Sequence, residues 1–66
     1  MTNTKDKIIN VADEIFSKFG FRKTSMDEIA RIARKAKGSL YYYFENKEEL
    51  FKEVITKEIN NLKREL

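Results

Sequence analysis

GSLYYYFENKEEL, residues 38–50, carries every tyrosine in this 66-residue chain, and Phe44 follows Tyr41, Tyr42 and Tyr43 without a break. An α-helix advances about 100° per residue, so four consecutive rings cover most of its circumference. One core cannot receive them all. With Leu40 at the origin of a helical wheel, Phe44 falls about 40° away and the two define a buried edge. Tyr41 and Tyr43 then flank that edge, with their polar ends in water. Tyr42 points away from the core and shares its outer face with Gly38 and Ser39. Gly is unfavourable in a helix; what it offers is close approach of the backbone to something outside.

The rest of the chain frames this segment with helices. Ile8, Val11, Ala12, Ile15, Phe16 and Phe19 recur at three- and four-residue steps, which predicts an amphipathic helix over residues 5–19. Asn3 or Thr4 can cap it. Gly20 can end it in the left-handed conformation, with Phe21 folding back. Ser25-Met26-Asp27-Glu28 reads as a capping box opening a short second helix with an apolar stripe of Met26, Ile29, Ala30, Ile32 and Ala33, ending near Ala33 or Arg34. Residues 34–37 must turn. Asn46-Lys47-Glu48-Glu49 is a second capping box, starting a last helix over about 47–66. Leu50, Phe51, Val54, Ile55, Ile59, Leu62 and Leu66 form its apolar face. The expected fold is all-α: a small bundle of four helices, residues 1–66 as one domain, containing a helix-turn-helix over about 25–44.

Composition removes several functions. There is no Cys and no His, so thiolate sites, disulfides and the usual general base near neutral pH are absent. No carboxylate converges with a Gly-rich phosphate loop, so no enzyme, metal site or cofactor is expected. No apolar run is long enough to span a membrane and the N-terminus lacks the layout of a signal peptide, which makes a cytoplasmic protein the expectation. The net charge of +3 is unevenly placed: residues 22–47 hold seven bases and three acids, a local excess of +4, in the same segment as the tyrosines. A basic face with outward hydroxyls suits a polyanion.

A short helix, a tight turn and a second short helix can present the second to the major groove of double-stranded DNA, about 12 Å wide. Its N-terminal residues, Lys37, Gly38 and Ser39, would lie toward the bases, with Tyr42 beside them. Tyrosine hydroxyls donate well to phosphate at the groove rim. Thr24 and Ser25, at the positive end of the second helix, offer a phosphate site, and Lys47 can hold the other phosphate wall.

The stretch TSMDEIARIARKAKGSLYYYFENKEELF, residues 24–51, resembles the DNA-binding domain of the TetR family of bacterial transcriptional regulators. Thr24, Ser25, Ile29, Ala30, Ala33, Ala36, Gly38, Leu40, Tyr41, Tyr43, Phe44, Asn46, Lys47, Glu48 and Leu50 stand where the family pattern has the same or an allowed residue. The first helix and its Gly-aromatic ending match too, so the resemblance covers essentially the whole chain. It implies a homeodomain-like fold and sequence-specific binding of operator DNA by a regulator, most often a repressor. It further implies phosphate contacts from Thr24, Ser25, Tyr41, Tyr43 and Lys47, and a groove face of Lys37, Gly38, Ser39 and Tyr42. Tyr42 occupies a variable position, which suits specificity. The family usually continues into a C-terminal helical domain that dimerises and binds a small-molecule effector. The resemblance therefore implies a homodimer, and helix 4 as the start of a further domain.

This chain departs from the family pattern in the turn, where Arg34-Lys35 replaces Gly-Val. Arg in a left-handed conformation costs about 1 kcal/mol relative to Gly, and Lys35 must bury its stem and keep its head in water. Two other readings stay open: a helical protein-interaction module using the exposed aromatic patch, and a fragment that folds but binds nothing measurable alone. Salt separates the first from DNA binding, which falls steeply as salt rises.

Overall fold

The computed structural model describes residues 3–65 and, among them, four helices and no strand. Helix α1 spans Thr4–Phe19, α2 Met26–Ala33, α3 Lys37–Tyr43 and α4 Lys47–Glu65. Side chains with one oxygen to spare start three of them. The Asn3 side chain accepts from the Asp6 amide at 2.8 Å, Ser25 Oγ from the Glu28 amide at 3.2 Å, and Asn46 Oδ1 from the Glu49 amide at 2.9 Å. Each satisfies an amide that the first helical turn leaves without a partner. Helix α3 has no side-chain cap: Ala36 stands at its N-cap.

The core is shared by all four helices. Ile8, Ile29, Leu40, Leu50 and Val54 are its fully buried large side chains. Helix α1 packs on α2 and α4, and α2 packs on α3. Three phenylalanines close one end. Phe21 turns back from the α1–α2 loop onto Phe16, with ring centroids 5.5 Å apart, and onto Phe51 of α4 at 4.9 Å; Phe16 and Phe51 meet edge-on at 5.3 Å.

Three details differ from the sequence expectation. Phe19, on the expected apolar stripe, is 57% exposed, since Phe21 and not Phe19 packs on Phe16; Ile9, outside that stripe, is buried. Ile32 is 48% exposed: an eight-residue helix buries only Met26, Ile29, Ala30 and Ala33, a narrower stripe than its apolar content allows. Gly20 has a positive φ of 88° but an extended ψ of 154°, so it ends α1 outside the left-handed helical region, while its amide still donates to the Phe16 carbonyl at 2.9 Å.

The turn from α2 to α3 is held by two crossed bonds. The Lys35 amide reaches the Ala30 carbonyl at 3.0 Å and the Arg34 amide the Arg31 carbonyl at 3.2 Å, the pattern of a Schellman ending. That pattern requires a left-handed residue, and Arg34 supplies it at φ 59°, ψ 43°. Lys35 is half-buried, as its anchor position demands. On α4, Leu50 and Val54 are buried, whereas Ile55, Ile59 and Leu62 are exposed and form a ridge along the helix. Leu66, expected to extend this ridge, lies outside the described residues.

Candidate nucleic-acid interface

Helix α3 contributes only Leu40 to the core, with Phe44 following at its C-cap. Apart from Ser39, the rest of it is exposed. Tyr42 is 82% exposed, the most of any large apolar or aromatic side chain described, while Tyr41 and Tyr43 are 46% and 39% exposed. The graded exposure follows from the wheel: the residue two positions from Leu40 points away from the core, and its neighbours lie at the rim. The Tyr42 and Tyr43 rings meet edge-on at 5.0 Å, which gives the outward ring a rigid support. Gly38 is exposed, and a Cβ added there would meet nothing within 4 Å. No packing within the chain therefore demands a glycine. Ser39, expected on the outer face, is half-buried.

Three helix beginnings open onto one shallow basin. Ser25 caps α2, Lys37 starts α3 and Asn46 caps α4, and these line it together with Thr24, Met26, Asp27, Tyr41 and Lys47. Each helix start carries a fraction of a positive charge from its aligned peptide dipoles. Two lysines and a tyrosine stand around them. The one acid, Asp27, pairs with Lys37 at 2.9 Å, and Lys37 lies 6.0 Å from the centre of the Tyr41 ring. The hydrogen bond to Asp27, and then its charge, hold the Lys37 ammonium above its usual value.

Two residues expected at the phosphate walls have partners inside the protein. Thr24 is buried and its hydroxyl donates to the Gly20 carbonyl at 2.8 Å, so that hydroxyl closes the α1–α2 loop and is not presented outward. The Lys47 ammonium donates to the Phe21 carbonyl at 2.7 Å and lies 4.1 Å over the centre of the Phe21 ring. Periodicity could not reveal either contact, because both acceptors are carbonyls just past the end of α1, outside its helical repeat. Of the other expected residues, Ser25, Lys37 and Tyr41 line the basin together, and Gly38, Tyr42 and Tyr43 are exposed on α3.

Among the described residues, no group of three acidic side chains stands close enough to hold a metal ion, and no helix is long and apolar enough to cross a membrane.

Residues 8–54 match the family model of bacterial regulatory proteins, tetR family. The chain is 47% identical over 53 residues to the HTH-type transcriptional regulator QacR of Staphylococcus aureus, covering 80% of this chain and 28% of that protein. It is 40% identical over 60 residues to the uncharacterised HTH-type transcriptional regulator YhgD of Bacillus subtilis, covering 91% and 31% respectively. It is 41% identical over 51 residues to IcaR of Staphylococcus epidermidis, the HTH-type negative transcriptional regulator of the biofilm operon icaADBC, covering 77% and 28%. The chain thus spans about a third or less of the length of these relatives. The helix-turn-helix geometry of α2 and α3 and these similarities agree: this chain belongs to the tetR family of bacterial regulatory proteins.

Proposed function

We propose that the chain is the DNA-reading part of a cytoplasmic transcriptional repressor, and that α3 enters the major groove of double-stranded operator DNA. One observation carries this reading: α3 presents Gly38 and the 82% exposed Tyr42 on a face that nothing among the described residues covers. A ring and a bare backbone side by side are costly on a merely solvated helix and useful against a surface that comes close. Lys37 and Tyr42 read base edges. Ser25, Tyr41 and Tyr43 bind phosphates, helped by the helix beginnings around the basin. IcaR, a relative, is a negative regulator by name, which supports repression as the outcome of binding. Two copies would bind a site of two-fold symmetry as a homodimer, and an effector would act elsewhere in the whole protein.

The test is Gly38→Leu. The site around Gly38 is open, so the variant should fold with unchanged circular dichroism. A leucine side chain would hold the backbone off the groove, so binding to duplex DNA selected by the wild-type chain should be lost. Wild-type affinity for that duplex, with the fold intact, removes α3 from the groove.

A further inference from the structure

Helix α3 carries a single charge, that of Lys37 at its first position. This charge is already matched by Asp27, in the first turn of α2, at 2.9 Å. Both side chains are well exposed, 60% for Lys37 and 68% for Asp27. An ion pair so exposed is weak and exchanges readily for another acceptor. It is also directional: the carboxylate holds the ammonium on one side and the Tyr41 ring flanks it 6.0 Å away. The neighbouring charges do not compete for either member. Glu28 pairs with Arg31 at 3.8 Å, and Lys47 is held on Phe21.

We propose that Asp27 is a specificity-determining residue that need not touch DNA: by pairing with Lys37 it withholds the only charge of the recognition helix from phosphates and yields it to a base edge. The inference rests on the groove reading given above. Its physics is a difference between two kinds of acceptor. A phosphate is anionic and repels the Asp27 carboxylate within a Debye length, so a Lys37–phosphate contact is penalised as long as Asp27 is charged. A guanine edge offers N7 and O6 as acceptors but carries no net charge. Lys37 can share itself between that edge and Asp27 without the repulsion. Asp27 also sits in the first turn of α2, where the helix dipole favours an anion. Its burden therefore falls on non-specific binding, which is made of phosphate contacts, more than on recognition of the correct site.

The experiment is a double-mutant cycle on DNA binding. Wild type, Asp27→Asn, Lys37→Met and the double variant are titrated by fluorescence anisotropy against a duplex selected by the wild-type chain from a random pool, and against the pool itself, at several salt concentrations. Asp27→Asn should tighten binding to the pool by about twofold to fivefold, the range an exposed pair supports. It should steepen the slope of log K against log salt by about 0.9, one further phosphate contact. Affinity for the selected duplex should change less, so the ratio of selected to pool affinity falls. In the Lys37→Met background the same substitution should leave that ratio unchanged. Circular dichroism checks the fold, and Asp27→Ser repeats the test with another good helix-start residue. A ratio unaffected by Asp27→Asn, or one that falls equally with and without Lys37, overturns the proposal while leaving the groove reading intact. A wild-type chain that enriches no sequence from the pool overturns both.

Discussion

Lys47 stands on Phe21: its ammonium donates to the Phe21 carbonyl at 2.7 Å and lies 4.1 Å over the Phe21 ring, joining the start of α4 to the loop between α1 and α2 across 26 residues of sequence. The contact is partly buried, and the Phe21 carbonyl that accepts it also accepts from the Thr24 amide at 3.3 Å. A charged hydrogen bond contributes about 1.5–3 kcal/mol and a cation over a ring about 0.5–1 kcal/mol, with overlap between the two. Lys47→Ala should therefore destabilise the domain by about 1–3 kcal/mol in urea unfolding. A loss of DNA affinity in that variant counts as a lost phosphate contact only if it survives under conditions where the variant is fully folded. An unchanged unfolding midpoint contradicts the structural role.

Thr24 supplies a parallel case. Its hydroxyl bridges to the Gly20 carbonyl from a buried position. Thr24→Val keeps the shape and removes the bond, so stability should fall by about 1 kcal/mol, whereas Thr24→Ser should retain most of it. The DNA affinity of folded Thr24→Val should match the wild type. A selective loss of affinity with stability unchanged would return Thr24 to the phosphate wall.

Arg34 occupies a left-handed conformation that glycine adopts without steric cost. Arg34→Gly should stabilise the fold by about 1 kcal/mol, which for a domain of this size is a rise in melting temperature of about 4–8 °C. The crossed hydrogen bonds from Arg34 and Lys35 remain available to the variant, so its helix content should not change. A lower melting temperature contradicts the strain assigned to this residue.

The same three residues show what could be read from the sequence. Arg34 was readable because the turn leaves one position for a left-handed residue, and the family resemblance puts a glycine there. The caps Ser25 and Asn46 were readable because a capping box is local. The exposures of Tyr41, Tyr42 and Tyr43 followed from helical geometry around Leu40. Phe19 is exposed although it lies on the apolar stripe, because periodicity defines a stripe without saying where the packing against it ends. Lys47 and the Asp27–Lys37 pair depend on contacts between segments, and the Thr24 bond lies inside a loop, so no spacing within one helix encodes them.

Charged side chains line the rim of the seam between α1 and α4. Lys57 pairs with Asp13 at 3.7 Å and donates to Asn10, and Lys5 lies 3.7 Å from Glu53. Beside them, a hydrogen bond to Asp13, and then the charge of Asp13, push the Glu58 carboxyl above its ordinary value of 4.5. The folded chain thus binds the Glu58 proton more tightly than the unfolded chain. The stability this contributes is fully present below pH 4.5 and is lost as pH rises through the folded-state value. Glu58→Gln keeps a neutral donor at every pH. Its stability relative to wild type should be higher at neutral pH and converge on wild type as pH falls below 4.5. Melting curves at a series of pH values read this directly, and a difference that is constant with pH contradicts the shared proton.

Contacts that position and contacts that read should separate under mutation. Tyr41→Phe and Ser25→Ala remove donors to phosphate, so they should weaken binding about equally on all duplexes. Phosphates carry no sequence information directly. Tyr42→Ala should instead reorder the preferred sites, since its ring stands outermost on α3 at 82% exposure. Selection of bound sequences from random duplex DNA with each variant gives the ranking. A Ser25→Ala variant that changes preference more than Tyr42→Ala reverses the assignment.

A single chain offers one recognition helix, and that limits its affinity. With a handful of phosphate contacts, binding to duplex DNA at physiological salt should lie near about 10⁻⁴–10⁻⁶ M. Tethering two copies makes the second contact intramolecular, at an effective concentration in the millimolar range. Affinity should then rise by about 10²–10⁴. The gain should depend on geometry: two α3 helices reach successive major grooves on one face of the duplex when half-sites lie about one helical turn, or a multiple of it, apart. A fusion to a dimeric module, titrated against a palindrome and against its single half-site, should show the gain on the palindrome alone. Shifting the half-sites by half a turn should abolish it. Nanomolar binding of the untethered chain to one half-site at physiological salt overturns the argument, because one α3 would then suffice.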